Sequence, residues 1–267
     1  MCNKYIKFDL FKKEAEKLGA DYIATGHYAK TMNNKLYKAF DENKDQTYFL
    51  AQVNKKDLTN VLFPIGHLDK TEVRKIADEL GLITAKKKDS TGICFIGERN
   101  YQKFVSNYLK PNPGDIVDID TNEIIGKHTG LMNYTIGQRR NVGISGNLQR
   151  HFVVGKNVKD NILYVAFGDD NEYLYSTSCL IDNLNFISDE RPINCTAKFR
   201  YRGEEYDVEL EYLNDEVLVK YPQKVKAVTP GQACVLYLEN ECIGSGIIKT
   251  VMKNDKILEY LNPQLDN

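Results

Sequence analysis

The 267-residue sequence lacks the features of exported and membrane proteins. It contains no run of the roughly 18 to 20 apolar residues that a membrane-spanning helix needs. Its first stretch, MCNKYIKFDLFKKEAEK, carries charges throughout and has no apolar signal core. The sequence therefore predicts a cytoplasmic protein with no membrane partner.

An excess of charge is missing as well. Lys and Arg total 36 and Asp and Glu total 37, so the net charge is −1. No global basic field marks a nucleic-acid-binding protein, although a local basic face is sufficient for RNA binding. The composition, 42% hydrophobic and 27% charged, is that of a globular chain long enough for two domains or three small ones.

The six cysteines lack the spacing of a zinc or thioredoxin-type site. They lie at positions 2, 94, 179, 195, 234 and 242, and no pair forms C-x-x-C. We therefore predict no metal site. Cysteines in a reducing compartment begin as thiols, and disulfides there tend to be transient and catalytic. We expect most of the six to be small buried hydrophobic residues.

A glycine-rich phosphate loop is also missing, since no segment matches GxGxxG, GxxxxGK[ST] or SGGxDS. Residues 5–18 have apolar side chains at helical spacing, and residues 21–24 (DYIA) read as a short strand that ends at Thr25-Gly26-His27. A helix followed by such a strand is typical of a layered α/β domain, whose ligands lie beyond the carboxyl ends of strands. Gly26 and His27 have that position. Because nucleotide-binding domains of this kind begin with a strand and a phosphate loop, we expect the first strands of the domain to be missing.

Two further patterns complete the expected architecture. A helix is predicted over 71–80, with Asp69 as its N-cap and Gly81 at its end. From Gly114 the chain shows short β-like runs, and from about Thr177 five or six alternating segments predict a small barrel or sandwich. We therefore predict an α/β plus all-β fold, divided into residues 1–106, 107–173 and 174–267.

Taken singly, the candidate functional residues admit ordinary structural interpretations. Cys94 lies in a loop near several lysines, which would favour the thiolate, but a buried structural cysteine is an equally good interpretation. Cys2 alone, and His27 at a strand end, are more commonly structural. Residues 138–140 and 198–202 mix basic and aromatic side chains, which suits phosphate contact and base stacking. Alternating basic residues are nevertheless more often the solvent face of a strand.

Eight segments taken together, in order, are far more specific than any one of them. They are CNKYIKF (2–8), ADYIATGHYAK (20–30), KDQTYFLAQV (44–53), FPIGHLDKTEVRKIA (63–77), DSTGICFIGERNYQKF (89–104), HTGLMNYTIGQRRNVGI (128–144), KFRYR (198–202) and TPGQACVLY (229–237). Over essentially its whole length the chain resembles the bacterial tRNA-specific 2-thiouridylases. The resemblance implies part of a PP-loop ATPase-like α/β domain, a small central β domain and a C-terminal β-barrel.

The resemblance also implies a reaction, the ATP-dependent 2-thiolation of wobble uridine 34 through a cysteine persulfide. Cys94 is implied to carry the persulfide, and Cys2 to be its partner in a transient disulfide. Gly26 is implied to contact ATP, accompanied by Mg²⁺. The positions implied to contact tRNA are His27, Lys44, Asp45, Gln46, Arg200, Tyr201 and Gln232. Implied partners are the tRNAs for Lys, Glu and Gln and a sulfur donor, either a cysteine desulfurase or a relay protein, and the chain is expected to be a monomer.

Departures from the family pattern generate a further expectation. The family's SGGxDS loop, and an acidic residue just before the first catalytic cysteine, would both lie upstream of Met1. We therefore expect an N-terminally truncated form that by itself binds ATP poorly and turns over little. The alternative is an inactive tRNA-binding fragment. A small-molecule PP-loop ligase is disfavoured because it needs neither GICFIG, TIGQRR nor a C-terminal barrel.

Overall fold

The computed structural model describes residues 2–87, 104–144 and 150–261. Contacts divide the chain into two compact units, and three of the five boundaries between them fall within long strands of the C-terminal half. The first unit comprises Met1–Lys87, Leu180–Pro222 and Gly231–Lys249, and the second comprises Lys88–Cys179, Gln223–Pro230 and Thr250–Asn267.

The first unit opens with a helical region where the sequence predicts one. Cys2–Phe11 is a π-helical segment and continues into α1 (Lys12–Lys17). Phe8 is fully buried, whereas Phe11 is 57% and Leu18 is 89% exposed. A π-helix closes its hydrogen bonds from i to i+5. Residues spaced by three and four therefore no longer share one face, and the predicted apolar stripe is buried only in part.

The α/β part of this unit is small. The predicted strand at residues 21–24 is realised as β1 (Ile23–Ala24), which pairs in parallel with β4 (Val61–Leu62). Between them lie a hairpin and two short helical turns: β2 (Lys30–Met32), β3 (Lys35–Tyr37), α2 (Thr47–Leu50) and a 3₁₀ turn (Lys55–Leu58). At the hairpin tip both central asparagines have positive φ, as a two-residue type I′ turn requires.

The second predicted helix is present as α3 (Lys70–Glu79). The Asp69 carboxylate accepts hydrogen bonds from the amides of Thr71 and Glu72, and the Glu72 carboxylate accepts one from the amide of Asp69, which is a complete capping box. Gly81 follows the helix with φ of +66°. No residue of α3 is buried, so the amphipathic pattern predicted the helix without predicting its burial.

Six strands of the C-terminal half form a closed barrel. Their order is β13-β10-β11-β12-β9-β14, and pairing of β13 with β14 closes the ring. The strands are β9 (Tyr175–Phe186), β10 (Asn194–Lys198), β11 (Tyr206–Tyr212), β12 (Val217–Lys226), β13 (Ala233–Leu238) and β14 (Glu241–Lys253). A short strand, β15 (Lys256–Ile257), pairs with β14. The all-β prediction is therefore confirmed.

The second unit contains a four-stranded sheet of order β6-β5-β8-β7. Its strands are β5 (Gly114–Asp118), β6 (Ile124–His128), β7 (His151–Asn157) and β8 (Ile162–Phe167). Two 3₁₀ turns, Leu131–Asn133 and Glu172–Leu174, accompany it. Ile116, Val153, Leu163 and Val165 lie at the centre of its core.

The core of the first unit combines the N-terminal segments with the barrel. Phe8, Leu36 and Leu50 pack in one cluster with Val235 and Tyr237, all of them completely buried. In addition, β3 pairs with β14 through Leu36 and Cys242. The three-segment division of the sequence stays a prediction. Among the helices of the described ranges, none is both long and apolar enough to cross a membrane.

We predict that Gly66→Ala destabilises the protein. A Cβ at Gly66 would lie 1.8 Å from the carbonyl oxygen of Ala29, a backbone atom that cannot move aside without disturbing β2. The free energy of unfolding should fall by about 1–3 kcal/mol or more. The matched control is Gly26→Ala, where the added Cβ meets nothing within 4 Å and a change below about 0.5 kcal/mol is expected. Chemical denaturation compares the two, and equal stabilities would contradict the steric argument.

Candidate functional site

Gly26 lies just beyond the carboxyl end of β1. The amide of Thr25 donates to the carbonyl of Leu62 (3.0 Å), so the β1–β4 pairing continues up to the turn. Gly26 is exposed, and the space around its α-carbon is open. The carboxyl ends of parallel strands are where α/β sheets bind ligands. The fold itself does not require glycine here, so a ligand that approaches the backbone closely would explain the residue.

His27 is buried, with 8% of its surface exposed. Its ring packs against Phe8 and Phe63 at centroid distances of 5.7 and 6.0 Å, and Nδ1 lies 2.8 Å from the hydroxyl of Thr25. Burial, aided by the nearby charge of Lys7, lowers the pKa of His27 from 6.5 to about 4. The imidazole is therefore neutral at pH 7, and the RNA contact implied for His27 stays a prediction.

Gln46 connects the segment after β3 to Tyr28 through two hydrogen bonds. Its side-chain oxygen accepts from the backbone amide of Tyr28 (2.9 Å), and its backbone amide donates to the Tyr28 carbonyl (2.8 Å). This reciprocal pair holds Lys44, Asp45 and Gln46 beside the Gly26 turn. Two segments separated by about twenty residues of sequence thus become neighbours.

Asp45 is a buried anchor. One carboxylate oxygen accepts from the amide of Ala39 (3.0 Å) and the other from the hydroxyl of Thr47 (2.5 Å). A hydroxyl has a single proton. Since Thr47 gives its proton to Asp45, the Tyr237 hydroxyl, 3.1 Å away, must be the donor to Thr47. Burial raises the pKa of Tyr237 far above its ordinary value, so this proton is retained.

The aromatic residues of α2 meet the tip of the β10–β11 hairpin. The Phe49 ring lies 4.3 Å from that of Tyr201, and the Tyr48 ring lies 6.2 Å from it. The amide of Gly203 donates to the carbonyl of Arg200 (3.1 Å), which closes a turn that projects Tyr201 and Arg202. Arg202 has φ of +62°, an uncommon conformation for a non-glycine residue.

Tyr48 also connects this aromatic group to the predicted Gln232. Its hydroxyl donates to the carbonyl of Ala233 at 2.9 Å, and burial raises the pKa of Tyr48 well above normal. Gln232 is held in turn by β14, because its carbonyl accepts from the amide of Ile248 (2.8 Å). Tyr48 therefore contacts both Tyr201 and the residue that follows Gln232.

Cys2 lies near α2 because the adjacent residue, Asn3, is hydrogen-bonded to it. The side-chain amide of Asn3 donates to the carbonyl of Phe49 at 3.0 Å, which places the start of the π-helical segment beside α2. Cys2 is a half-buried free thiol. Cys94 lies outside the described residues, so the implied disulfide between Cys2 and Cys94 has no support in the structure.

The other described cysteines are barrel residues. Cys179, Cys234 and Cys242 are fully buried, which confirms the expectation for them. Burial raises the pKa of the Cys195 thiol to about 12, and it raises that of Cys242 further still. Such thiols are almost entirely protonated at neutral pH and therefore poor nucleophiles. Within the described ranges, no group of three His, Cys, Asp or Glu residues is suited to a metal ion.

The first unit thus gathers every described candidate, from Cys2 to Gln232, through a few connecting residues. Sequence reasoning missed these connectors. Their roles lie in contacts with distant segments, Tyr48 with Ala233, Phe49 with Tyr201 and Asn3 with Phe49. The signal that could have found them is the KDQTYF segment itself, where two aromatic residues directly follow the polar ones.

Comparison with known proteins assigns the chain to a family. The models that match are the tRNA methyl transferase HUP domain at residues 1–98, the tRNA methyl transferase PRC-barrel domain at 102–167 and the aminomethyltransferase beta-barrel domain at 176–248. The tRNA-specific 2-thiouridylase MnmA of Mycoplasmopsis synoviae is 51% identical over 263 residues, which are 98% of this chain and 71% of that protein. The chain belongs to the tRNA-specific 2-thiouridylase family.

Other members of the family give the same result. The tRNA-specific 2-thiouridylase MnmA 2 of Geobacillus kaustophilus is 52% identical over 271 residues, covering 98% of this chain and 72% of its own length. The MnmA of Oceanobacillus iheyensis is 50% identical over 270 residues, with the same coverage. The HUP domain and the two β domains confirm the predicted combination of α/β and all-β folds.

We predict that His27 makes stability depend on pH between its unfolded and folded pKa values. Below pH 6.5 the unfolded chain protonates this imidazole, while the folded protein keeps it neutral down to about pH 4. The stability associated with burying neutral His27 is therefore complete above pH 6.5 and falls as the pH decreases toward 4. The loss amounts to at most about 3 kcal/mol.

Urea denaturation of the wild type and of His27→Gln at a series of pH values measures this effect. The variant should show a flatter dependence over the same interval, because the other three histidines are unchanged in both proteins. Identical pH dependence in the two proteins would show that His27 does not titrate as the buried site requires.

Proposed function

We propose that this protein is a tRNA sulfurtransferase that catalyses the ATP-dependent 2-thiolation of wobble uridine 34. The observation that supports the proposal most directly is the convergence of Cys2, Gly26, Gln46, Tyr201 and Gln232 on the first unit. Their segments are scattered over 231 residues of sequence. About 50% identity to 2-thiouridylases over nearly the whole chain supports the same reaction.

The proposed chemistry uses two thiols. Cys94 carries the transferable sulfur as a persulfide received from a donor protein, either a cysteine desulfurase or a relay protein. The terminal sulfur forms a bond to C2 of uridine as the activated oxygen leaves. Attack of the Cys2 thiolate on Sγ of Cys94 breaks the sulfur–sulfur bond, and that electron pair remains with the transferred sulfur. The two cysteines are left as a disulfide, which a cellular dithiol must reduce before the next turnover.

The environment of Gly26 fits a nucleotide. The turn is exposed, lies at the carboxyl end of β1, and offers backbone groups without a side chain in the way. ATP with Mg²⁺, when bound, supplies the adenylyl group that converts the uridine 2-oxygen into a leaving group. Thr25 and the neutral His27 would support this turn from the protein side.

The RNA would lie on the surface formed by α2 and the β10–β11 tip. Phe49 is 44% exposed and Arg200 is exposed, so a stacking face and a cation are available together. Asp45 and Gln46 position this surface through their bonds inside the fold. The tRNAs for Lys, Glu and Gln are the proposed substrates, and the protein is proposed to act as a monomer. We also propose residues 1–106, 107–173 and 174–267 as its three domains.

The roles of the two thiols can be tested in cells that lack wobble thiolation. Cells complemented with the complete natural gene that contains this sequence should regain sulfur on uridine 34, measured by mass spectrometry of digested tRNA. Cys94→Ser and Cys2→Ser should each abolish the gain. Cys195→Ala is the matched control and should retain it, because that thiol is held protonated in the barrel.

Each outcome distinguishes a different alternative. A mass gain equal to a methyl group rather than to exchange of oxygen for sulfur would favour the methyl transfer named in two of the matching family models. tRNA binding without any modification would favour the inactive binding fragment. Sulfur retained in Cys94→Ser would remove the proposed role of that residue.

We predict that Tyr201→Ala weakens tRNA binding with little effect on folding. Loss of one base-stacking partner costs about 1–3 kcal/mol of binding free energy, and Tyr201 is only half-buried. The matched control is Tyr206→Ala, which removes a tyrosine of the same hairpin whose ring faces Phe199. Fluorescence anisotropy with labelled tRNA gives the affinities, and circular dichroism reports folding. Equal affinities for the two variants would argue against stacking on Tyr201.

A further inference from the structure

The second unit contains a basic cleft to which the proposed chemistry assigns no role. The cleft has a volume of about 410 Å³ and is lined by Arg139, Arg150, His151 and residues 141–144. This space is ample for a phosphate group together with part of a sugar. Arg139 belongs to the Gln138-Arg139-Arg140 segment, whose composition suits phosphate contact.

Backbone hydrogen bonds bring the two arginines of the cleft together. A turn closes where the amide of Gln138 donates to the carbonyl of Thr135 (2.9 Å). Bonds from the Gly137 amide to the Val153 carbonyl (2.8 Å) and from the Val153 amide to the Gln138 carbonyl (2.9 Å) fix this turn beside β7. Arg139 therefore lies near the start of β7, where Arg150 and His151 are found.

The charge of the cleft is positive and is not neutralised by its walls. Both guanidinium groups are protonated at any physiological pH, and their planar forks match the oxygens of a phosphate. No acidic side chain is among the described residues that line the cleft. Among the residues that the structure describes, neither Arg139 nor Arg150 forms an ion pair with a carboxylate.

His151 adds a polar group that lacks a partner. Its Nε2 lies 3.5 Å from a carboxylate oxygen of Asp118, whose other oxygen accepts from the amides of Asp120 and Thr121. Its Nδ1 is buried and has no hydrogen-bond partner in the described part of the structure. Buried polar atoms are rarely left unsatisfied. Asp118 thus lies against one ring nitrogen of His151, and the other ring nitrogen is an unsatisfied polar atom in a residue that lines the cleft.

A larger cleft on the barrel has the opposite character. It measures about 660 Å³, and its walls include Asp207, Glu209 and Glu239 but only one lysine, Lys220. Such a lining repels phosphate. Of the two clefts, therefore, only the one in the second unit is suited to an anionic ligand.

We propose that the cleft of Arg139, Arg150 and His151 binds a phosphate group, and that this phosphate belongs to the backbone of the RNA substrate. The second part rests on the function proposed above. A cleft that holds one backbone phosphate contributes to affinity and to the register of the RNA without reading its sequence.

The RNA part is tested by measuring tRNA affinity over a series of salt concentrations. The double variant Arg139→Gln/Arg150→Gln should bind on the order of tenfold more weakly. The slope of log affinity against log salt should become shallower by about 1, because one phosphate contact is lost. Arg140→Gln is the matched control, since Arg140 is an exposed neighbour outside the cleft and its loss should leave the slope nearly unchanged. All three side chains are exposed, so thermal unfolding should be unaffected.

A second measurement separates the cleft from the RNA. In a titration with inorganic phosphate, the NMR signal of the His151 ring should shift saturably in the wild type and not in the double variant. If phosphate shifts this signal but the salt slopes of the double variant and control agree, the cleft binds a free phosphoanion and the RNA assignment is wrong. If neither effect is seen, the proposal is overturned. A wild type that binds no tRNA would contradict the proposed function, while the phosphate titration still decides the cleft.

Discussion

The arrangement of the first unit depends on a buried chain of hydrogen bonds from Tyr237 through Thr47 to Asp45. Tyr237 is completely buried in the barrel strand β13, and Thr47 begins α2 nearly two hundred residues earlier. Each hydroxyl has one proton, so the direction of the chain is fixed and ends on the only acceptor without a proton, the Asp45 carboxylate. Removal of any member would leave a buried polar atom unpaired, at a cost of about 1–3 kcal/mol.

This chain of bonds determines which residues face outward. With Thr47 and Leu50 turned inward, the intervening Tyr48 and Phe49 are directed to the tip of the β10–β11 hairpin and to Ala233. The carbonyl of Phe49 in α2 accepts a hydrogen bond from the side chain of Asn3, and this bond places the neighbouring Cys2 beside α2. This one turn of helix therefore contacts the segment of Cys2 and the tip of the β10–β11 hairpin, and it directly follows Gln46, which is bonded beside Gly26. The positive φ of Arg202 at the hairpin tip is consistent with a surface whose conformation serves binding rather than stability.

The two units differ in the basis of their proposed RNA contacts. In the first unit the proposed contacts are aromatic side chains with Arg200 as an exposed cation, and the neutral His27 adds no charge. In the second unit the proposed contact is electrostatic, through the guanidinium groups of Arg139 in a turn and of Arg150 just before β7. In this proposal a protein with a net charge of −1 binds a polyanion through a local group of cations, while acidic residues line other surfaces, such as the barrel cleft.

The sequence by itself determined the local elements and the family. Helix α3 was predictable because its capping box and the glycine after its last turn are local signals. The barrel was predictable because the alternation of buried and exposed residues along a strand is also local. The eight ordered motifs placed nearly all candidate residues. Burial and proximity were decided only by the tertiary structure. The sequence could not show that no residue of the α3 stripe is buried, that Cys195 and Cys242 are held protonated, or that Tyr48 contacts both Tyr201 and Ala233. The contacts of Tyr48 with Tyr201 and Ala233 join segments more than a hundred residues apart, and the burial of the two thiols comes from packing between strands, neither of which a local pattern encodes.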